Sequence, residues 1–141
     1  MQKCVQFIAV AILTLFLAGC FGGNEKENAV KSFFEALGKG DLKAIQSLST
    51  QSTAMIMPMA AAMKCPETSK TMTNSNSKDE YLSKCYKEAY GDMKIKIIET
   101  KDISADKAVV RIEETFKGGN MAKEDIEVEK FGDKWLVNIH K

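Results

Sequence analysis

Residues 108–116 read AVVRIEETF, and apolar side chains recur at every second position through most of this run. A period of two is typical of a β-strand that turns one face to a core and the other to water. The inner face would carry Ala108, Val110, Ile112, Glu114 and Phe116, and the outer face Val109, Arg111, Glu113 and Thr115. Glu114 is thus an ionisable group on a predominantly apolar face.

The same alternation occurs on both sides of this run, in residues 93–97, 125–129 and 135–139. Residues rich in Gly, Asp, Asn and Ser separate the four segments at 104–106, 118–120 and 132–133. Strands joined by short turns usually pair in sequence, so this half predicts an antiparallel meander of four strands with one wet face.

Three acidic residues follow one another along the wet face of the third strand: Asp125, Glu127 and Glu129. As a cation site they lack a glycine-bearing loop, whereas Arg111 and nearby lysines would be natural cross-strand partners. A ladder of solvated ion pairs is therefore the favoured interpretation.

The residues before the sheet have helical periodicity. One stripe contains Ala29, Val30, Phe33, Phe34 and Leu37, a second contains Leu42, Ile45 and Leu48, and a third contains Tyr81, Leu82, Cys85, Tyr86 and Ala89. Gly38 and Gly40 are predicted to end the first helix, Asp41 to cap the second, and Ser77 with Glu80 to form a capping box for the third. Residues 53–63 form a further helix if Pro58 lies in a first turn or makes a kink. Helices followed by strands predict an α+β fold, in which N-terminal helices pack on the sheet.

The N-terminus, MQKCVQFIAVAILTLFLAGC, has the layout of a signal peptide, with one lysine followed by an apolar run that is too short for a permanent span. Residues 17–20, LAGC, resemble the bacterial lipobox, in which the cysteine receives diacylglycerol and becomes the first mature residue. We therefore expect a signal peptide at 1–19 and a lipidated Cys20 that begins a tether over 20–28. The alternative is an ordinary secretory signal in which the cysteine stands by chance.

These features predict a cell-envelope protein held to the membrane by its acyl chains. Phe21, rather than Asp, follows the cysteine, which favours the outer membrane, facing the periplasm, if the source is Gram-negative. Loss of Lys3 with the signal would leave 19 basic and 19 acidic residues, so no polybasic segment supplements the lipid.

Two further cysteines, Cys65 and Cys85, form an even pair in an oxidising compartment and predict a disulfide around a polar segment. A redox-active pair is the alternative, but a C-x-x-C motif is absent from the sequence. Two thiols and the single His140 do not make a zinc site.

The chain has 141 residues, of which 45% are hydrophobic and 28% charged, with 20 basic and 19 acidic side chains. One small globular domain fits these values, whereas a basic face for nucleic acid does not. Phosphate-binding, dinucleotide and hydrolase motifs are also absent from the sequence. No cofactor, metal or nucleic-acid partner is predicted.

Residues 29–44, AVKSFFEALGKGDLKA, and 132–137, GDKWLV, together with the lipobox, give the chain a family resemblance. It resembles small bacterial lipoproteins with a nuclear-transport-factor-2-like (NTF2-like, or cystatin-like) domain, notably the domain-of-unknown-function 4878 family. The resemblance implies a curved sheet wrapped around helices as a cone with an open end. The domain would span 29–141, with a Met- and Ser-rich insert at 54–78.

These observations predict a non-enzymatic module that binds a small apolar ligand or another envelope protein, with a homodimer as a further candidate. The predicted pocket residues are Glu114, Phe116, Tyr86 and Trp135. The alternative is an enzyme of isomerase or cyclase type in which Glu114 moves a proton beside Tyr81, Tyr86 or Tyr90. Trp135 could instead be only a sheet anchor, and Glu114 could reach solvent.

A third candidate site is the methionine-rich stretch, which contains Met55, Met57, Met59, Met63 and Met72. These methionines could fill the core, bind an apolar partner or bind Cu(I).

Overall fold

The computed structural model describes residues 24–65 and 78–139. Four helices precede four strands in these ranges, as the α+β prediction requires. The helices are α1 (Glu25–Lys39), α2 (Leu42–Ser47), α3 (Gln51–Lys64) and α4 (Lys78–Tyr90), and the strands are β1 (Lys94–Asp102), β2 (Lys107–Thr115), β3 (Met121–Phe131) and β4 (Lys134–Asn138). The predicted signal peptide, the predicted lipidation site Cys20, Met72, the predicted cap Ser77 and His140 lie outside the described residues.

The sheet is an antiparallel meander in the order β1-β2-β3-β4, which confirms the predicted topology. Its inner face is buried at Ala108, Val110, Ile112, Ile126, Val128 and Val137. The register shifts between Ile97 and Glu99, and this irregularity leaves Ile98 44% exposed. The sequence did not indicate this shift, because the alternation of apolar residues covers only residues 93–97, the regular part of the strand that precedes the shift.

Ion pairs occupy the outer face of the sheet as predicted. Arg111 binds Asp125 through two hydrogen bonds, of 2.7 and 3.0 Å, and Lys107 lies 3.2 Å from Glu129. The hydrogen bond from Arg111 lowers the pKa of Asp125 below its ordinary value. In residues 24–65 and 78–139 no three His, Cys, Asp or Glu side chains are grouped as metal ligands would be.

Helix α1 begins four residues before the predicted boundary, because the Asn24 side chain accepts a hydrogen bond from the N–H of Lys26 and caps it. Residues 25–28, which were predicted as part of the tether, are therefore helical.

At the other end of α1, Gly38 lies inside the helix and does not end it. The helix ends at Gly40, which has the left-handed φ of 64°, and Asp41 caps α2 as predicted by accepting from the N–H of Ala44.

Helix α3 contains Pro58 at its eighth position, so of the two arrangements that the sequence left open, a first-turn proline or a kink, the first does not occur. Proline has no N–H, and the carbonyl of Ala54 therefore lacks its usual helical donor. Met57 and Ala61 are buried in the core, so the first half of the predicted insert belongs to the body of the fold.

A disulfide joins Cys65, at the end of α3, to Cys85 in α4, which confirms the predicted pair.

Strand β4 joins the helices to the sheet. The N–H of Thr50 donates to the carbonyl of Val137, and the N–H of Val137 donates to the carbonyl of Leu48, each at 2.9 Å. Asn138 pairs with Glu127 and is only 4% exposed. Its side chain accepts a hydrogen bond from the Thr50 hydroxyl at 3.1 Å and donates one to Glu129 at 2.7 Å. None of the described helices is both long and apolar enough to cross a bilayer.

Candidate functional site

A cavity of about 150 Å³ lies between the helices and the inner face of the sheet. The helices contribute Phe34, Leu37, Ile56, Met57, Ala60, Lys64 and Tyr90, and the sheet contributes Glu114, Phe116 and Glu124, with Ile139 after the last strand. Most of this lining is apolar. The wall residues of β2 and β3 lie close to the β2–β3 turn, so the cavity is at the end of the sheet where that turn lies.

Two carboxylates face the cavity from neighbouring strands. Glu124 pairs with Ile112 and Glu114 with Ala122, so the two acidic side chains are diagonal neighbours on the inner face. Glu114 is only 7% exposed, whereas Glu124 is half-buried. A carboxylate in such a place accepts hydrogen bonds when ionised and can donate one when protonated, so it can orient a ligand that carries a polar group.

Lys64 and Tyr90 supply the other polar groups of the lining. The Lys64 ammonium donates to the Tyr90 hydroxyl at 3.1 Å and lies 4.8 Å from the centre of the same ring. Since Lys64 is exposed and Glu114 is buried, the cation belongs to the solvent side and the anion to the interior. The cavity therefore has an apolar wall, a buried acidic group and a basic group toward water.

Of the four predicted pocket residues, the structure brings Glu114 and Phe116 together in this lining and leaves Tyr86 and Trp135 out of it. Tyr86 is fully buried in α4, where burial raises its pKa to about 12. Trp135 lies at the start of β4, paired with Lys130 at the opposite end of the sheet. Of the three tyrosines considered as donors, Tyr90 lines the cavity, while the buried Tyr81 hydroxyl has no hydrogen-bond partner among the residues described.

A second and more open groove, of about 360 Å³, shares Phe34 and Tyr90 with the cavity and continues over Gly38, Gly91 and Met93. Its charged residues include Glu35 and Lys39, which form an exposed ion pair at 2.5 Å. The hydrogen bond from Lys39 lowers the pKa of Glu35. Because Glu35 and Lys39 already pair with each other in water, a ligand would gain little binding energy from either charge. The smaller cavity is therefore the stronger candidate for a binding site.

Several lining residues were not identified from the sequence, namely Glu124, Lys64, Ile56 and Ile139. A signal existed for Glu124, because it shares the alternation face of Ile126 and Val128.

The sequence left open whether the methionines of helix α3 fill the core or lie at the surface. Met57 is buried, whereas Met55, Met59 and Met63 are 65%, 71% and 84% exposed and form a stripe at four-residue spacing.

Solved structures with the same fold include an NTF2-like protein of unknown function from Shewanella oneidensis. It is 22% identical, with a TM-score of 0.52, and the match covers 81% of this chain and 92% of that one. A Campylobacter jejuni protein described as a "putative NTF2-like transpeptidase" is 23% identical, with a TM-score of 0.49 and coverage of 84% and 100%. A ketosteroid isomerase-like protein from Erwinia carotovora atroseptica is 19% identical, with a TM-score of 0.39 and coverage of 79% and 87%.

No match was found among the curated proteins. The likeness to the Shewanella oneidensis protein supports an NTF2-like fold and says nothing of activity. The family described as "Domain of unknown function (DUF4878)" matches residues 18–138, which is most of the chain. The chain therefore belongs to the domain-of-unknown-function family DUF4878, as its helix junction and its last strand led us to expect.

Proposed function

We propose that the protein is a lipid-anchored binding protein of the cell envelope, and that its cavity holds a small, largely apolar molecule or the end of a longer one. The observation that carries the binding function is the buried Glu114 in a mainly apolar cavity. Pockets for drug-sized ligands usually measure about 300–1,000 Å³, so a space of about 150 Å³ fits only a few non-hydrogen atoms.

The support for the lipid anchor is the apolar run near the N-terminus followed by residues 17–20, LAGC. With Cys20→Ala, we expect incorporation of radiolabelled palmitate to fall to background in the native host, because the acceptor sulfur is gone. Cys4→Ala is the matched control, since Cys4 would leave with the signal, and it should label like the wild type. Label that persists in Cys20→Ala, or a wild type that takes up none, would contradict the anchor.

For the cavity, we expect Ala60→Phe to reduce the amount of co-purifying ligand about tenfold, because the ring would occupy the space that the ligand needs. Ala62→Phe is the matched control, because Ala62 is exposed on the same helix and is not part of the lining. The measurement is native mass spectrometry of the full-length protein, purified in mild detergent from its own host. Equal ligand retention in the two variants, or none in the wild type, would contradict the proposal.

The isomerase or cyclase alternative is favoured by the same buried Glu114, because a carboxyl group among apolar side chains is suited to proton transfer. It requires that the wild type exchange α-protons of a small ketone for deuterium and that Glu114→Gln, which keeps the shape of the side chain, abolish the exchange. A simple binding protein leaves the ketone unchanged in both forms. Proton NMR of cyclohexanone in D₂O distinguishes the two functions.

A further inference from the structure

The end of the domain opposite the cavity, which we call the α1 end, contains the start of α1, the β1–β2 turn (103–106) and the β3–β4 turn (132–133). Hydrogen bonds and ring contacts hold these parts together. Lys26 forms an ion pair with Asp102, and its ammonium lies 4.9 Å from the centre of the Trp135 ring. The N–H of Lys130 donates to the carbonyl of Asp106 at 2.8 Å, which ties the β1–β2 turn to the end of β3.

Two large apolar side chains are exposed at the α1 end, one beside each turn. Ile103 is 59% exposed in the β1–β2 turn, and Phe131 is 53% exposed at the end of β3. They lie two strands apart in the sheet, a separation of about 10 Å. Basic and acidic residues around them are mixed: Lys26, Lys101, Lys107, Lys130 and Lys134 accompany Glu25, Glu27, Asp102, Asp106, Glu129 and Asp133. With its charges nearly balanced, this end offers apolar contact rather than a field of one sign.

The position of Cys20 in the chain indicates what these side chains meet. Only three residues lie between it and Asn24, the cap of α1. The four Cα–Cα steps from Cys20 to Asn24 cover at most about 14 Å in an extended chain. An acyl chain on Cys20 would therefore hold the α1 end within reach of the bilayer surface. We propose that Ile103 and Phe131 enter the membrane interface, so that the domain stands on its α1 end; this inference rests on the proposed lipid anchor.

This orientation determines where the cavity lies relative to the bilayer. Helix α1 has 15 residues and spans about 22 Å from Glu25 to Lys39 at 1.5 Å per residue. Phe34 and Leu37 contribute to the cavity from its C-terminal half, and Tyr90, Glu114 and Phe116 surround them. The cavity then lies at the end of the domain away from the membrane, which suits a ligand taken from the aqueous side or from a partner protein on that side rather than from the bilayer.

The test uses a fluorescent reporter at one position at a time in the full-length protein from the native host. Cysteines introduced as Ile103→Cys and Phe131→Cys are labelled with a nitrobenzoxadiazole group. Met121→Cys is the matched control, because Met121 is a 65% exposed apolar residue at the opposite end of β3. Each labelled protein is reconstituted into vesicles of phosphatidylethanolamine and phosphatidylglycerol that contain a lipid spin-labelled near the headgroup.

We expect about twofold quenching by the spin label at positions 103 and 131 and almost none at 121, because interfacial side chains lie only about 5–10 Å deep. Equal quenching at all three positions in protein that floats with the vesicles would overturn the orientation while leaving the anchor intact. Failure of the unlabelled wild type to float with vesicles would overturn both the anchor and the orientation that depends on it.

Discussion

Gly40→Ala is expected to lower the free energy of unfolding by about 3 kcal/mol or more. Gly40 has φ of 64°, a region that costs an L residue about 1–2 kcal/mol. An added Cβ would also lie 2.7 Å from the Ser83 Oγ and closer still to the Ser83 carbonyl oxygen, which is part of helix α4 and cannot move alone. The substitution would therefore force α1 and α4 apart.

Gly132→Ala is the matched control, because Gly132 has nearly the same φ of 60° but no neighbouring atom within 4 Å of the added carbon. It should cost only the backbone strain of about 1–2 kcal/mol. Urea denaturation followed by the fluorescence of Trp135 measures both variants. Equal losses would show that contact with Ser83 contributes nothing and that conformation alone requires glycine at position 40.

Removal of the disulfide by the double substitution Cys65→Ala and Cys85→Ala is expected to cost about 3 kcal/mol, the chain-entropy value for a loop of about 20 residues. That is a large share of the roughly 5–15 kcal/mol that stabilises a domain. Alanine at both sites avoids a buried free thiol, which would add its own reactivity.

The matched comparison for this variant is the wild type in reducing buffer, because both states lack the same covalent link between α3 and α4. Urea midpoints of the two should agree, and both should fall below that of the oxidised wild type. If oxidised and reduced wild type unfold at the same urea concentration, the bond adds no stability, and a redox role for the pair would have to be considered.

The strands could be predicted from the sequence because alternation reports directly which side chains face the core. The same argument placed Glu114 on the inner face, where it is buried. Alternation does not report the position along the sheet, and this is why Trp135 was assigned to the pocket although it lies at the α1 end. Which residues pair across neighbouring strands depends on the lengths of the turns between them. The alternation of apolar and polar residues carries no information about those lengths.

The helices show a similar limit. The stripe in α4 predicted that Tyr86 faces inward, and it does, but Tyr90 one turn later reaches the cavity. Which of two tyrosines on one stripe meets a strand depends on how far the helix extends over the sheet, a long-range property.

The early start of α1 was missed for a local reason. Asn24 caps the helix, but Glu25–Asn28 is polar and contributes nothing to the apolar stripe from which the helix was predicted.

The contacts of β4 with residues 48–50 have a consequence for the order of events in the cell. These hydrogen bonds join parts of the chain almost ninety residues apart, and β4 also supplies the buried Trp135 and Val137. Because β4 follows the helices in the chain, it leaves the ribosome after them, and the helices cannot complete their packing until it has been made. For a polypeptide that we propose is exported, such late closure is useful, because a secretion channel accepts extended chains and a prematurely finished domain would block it.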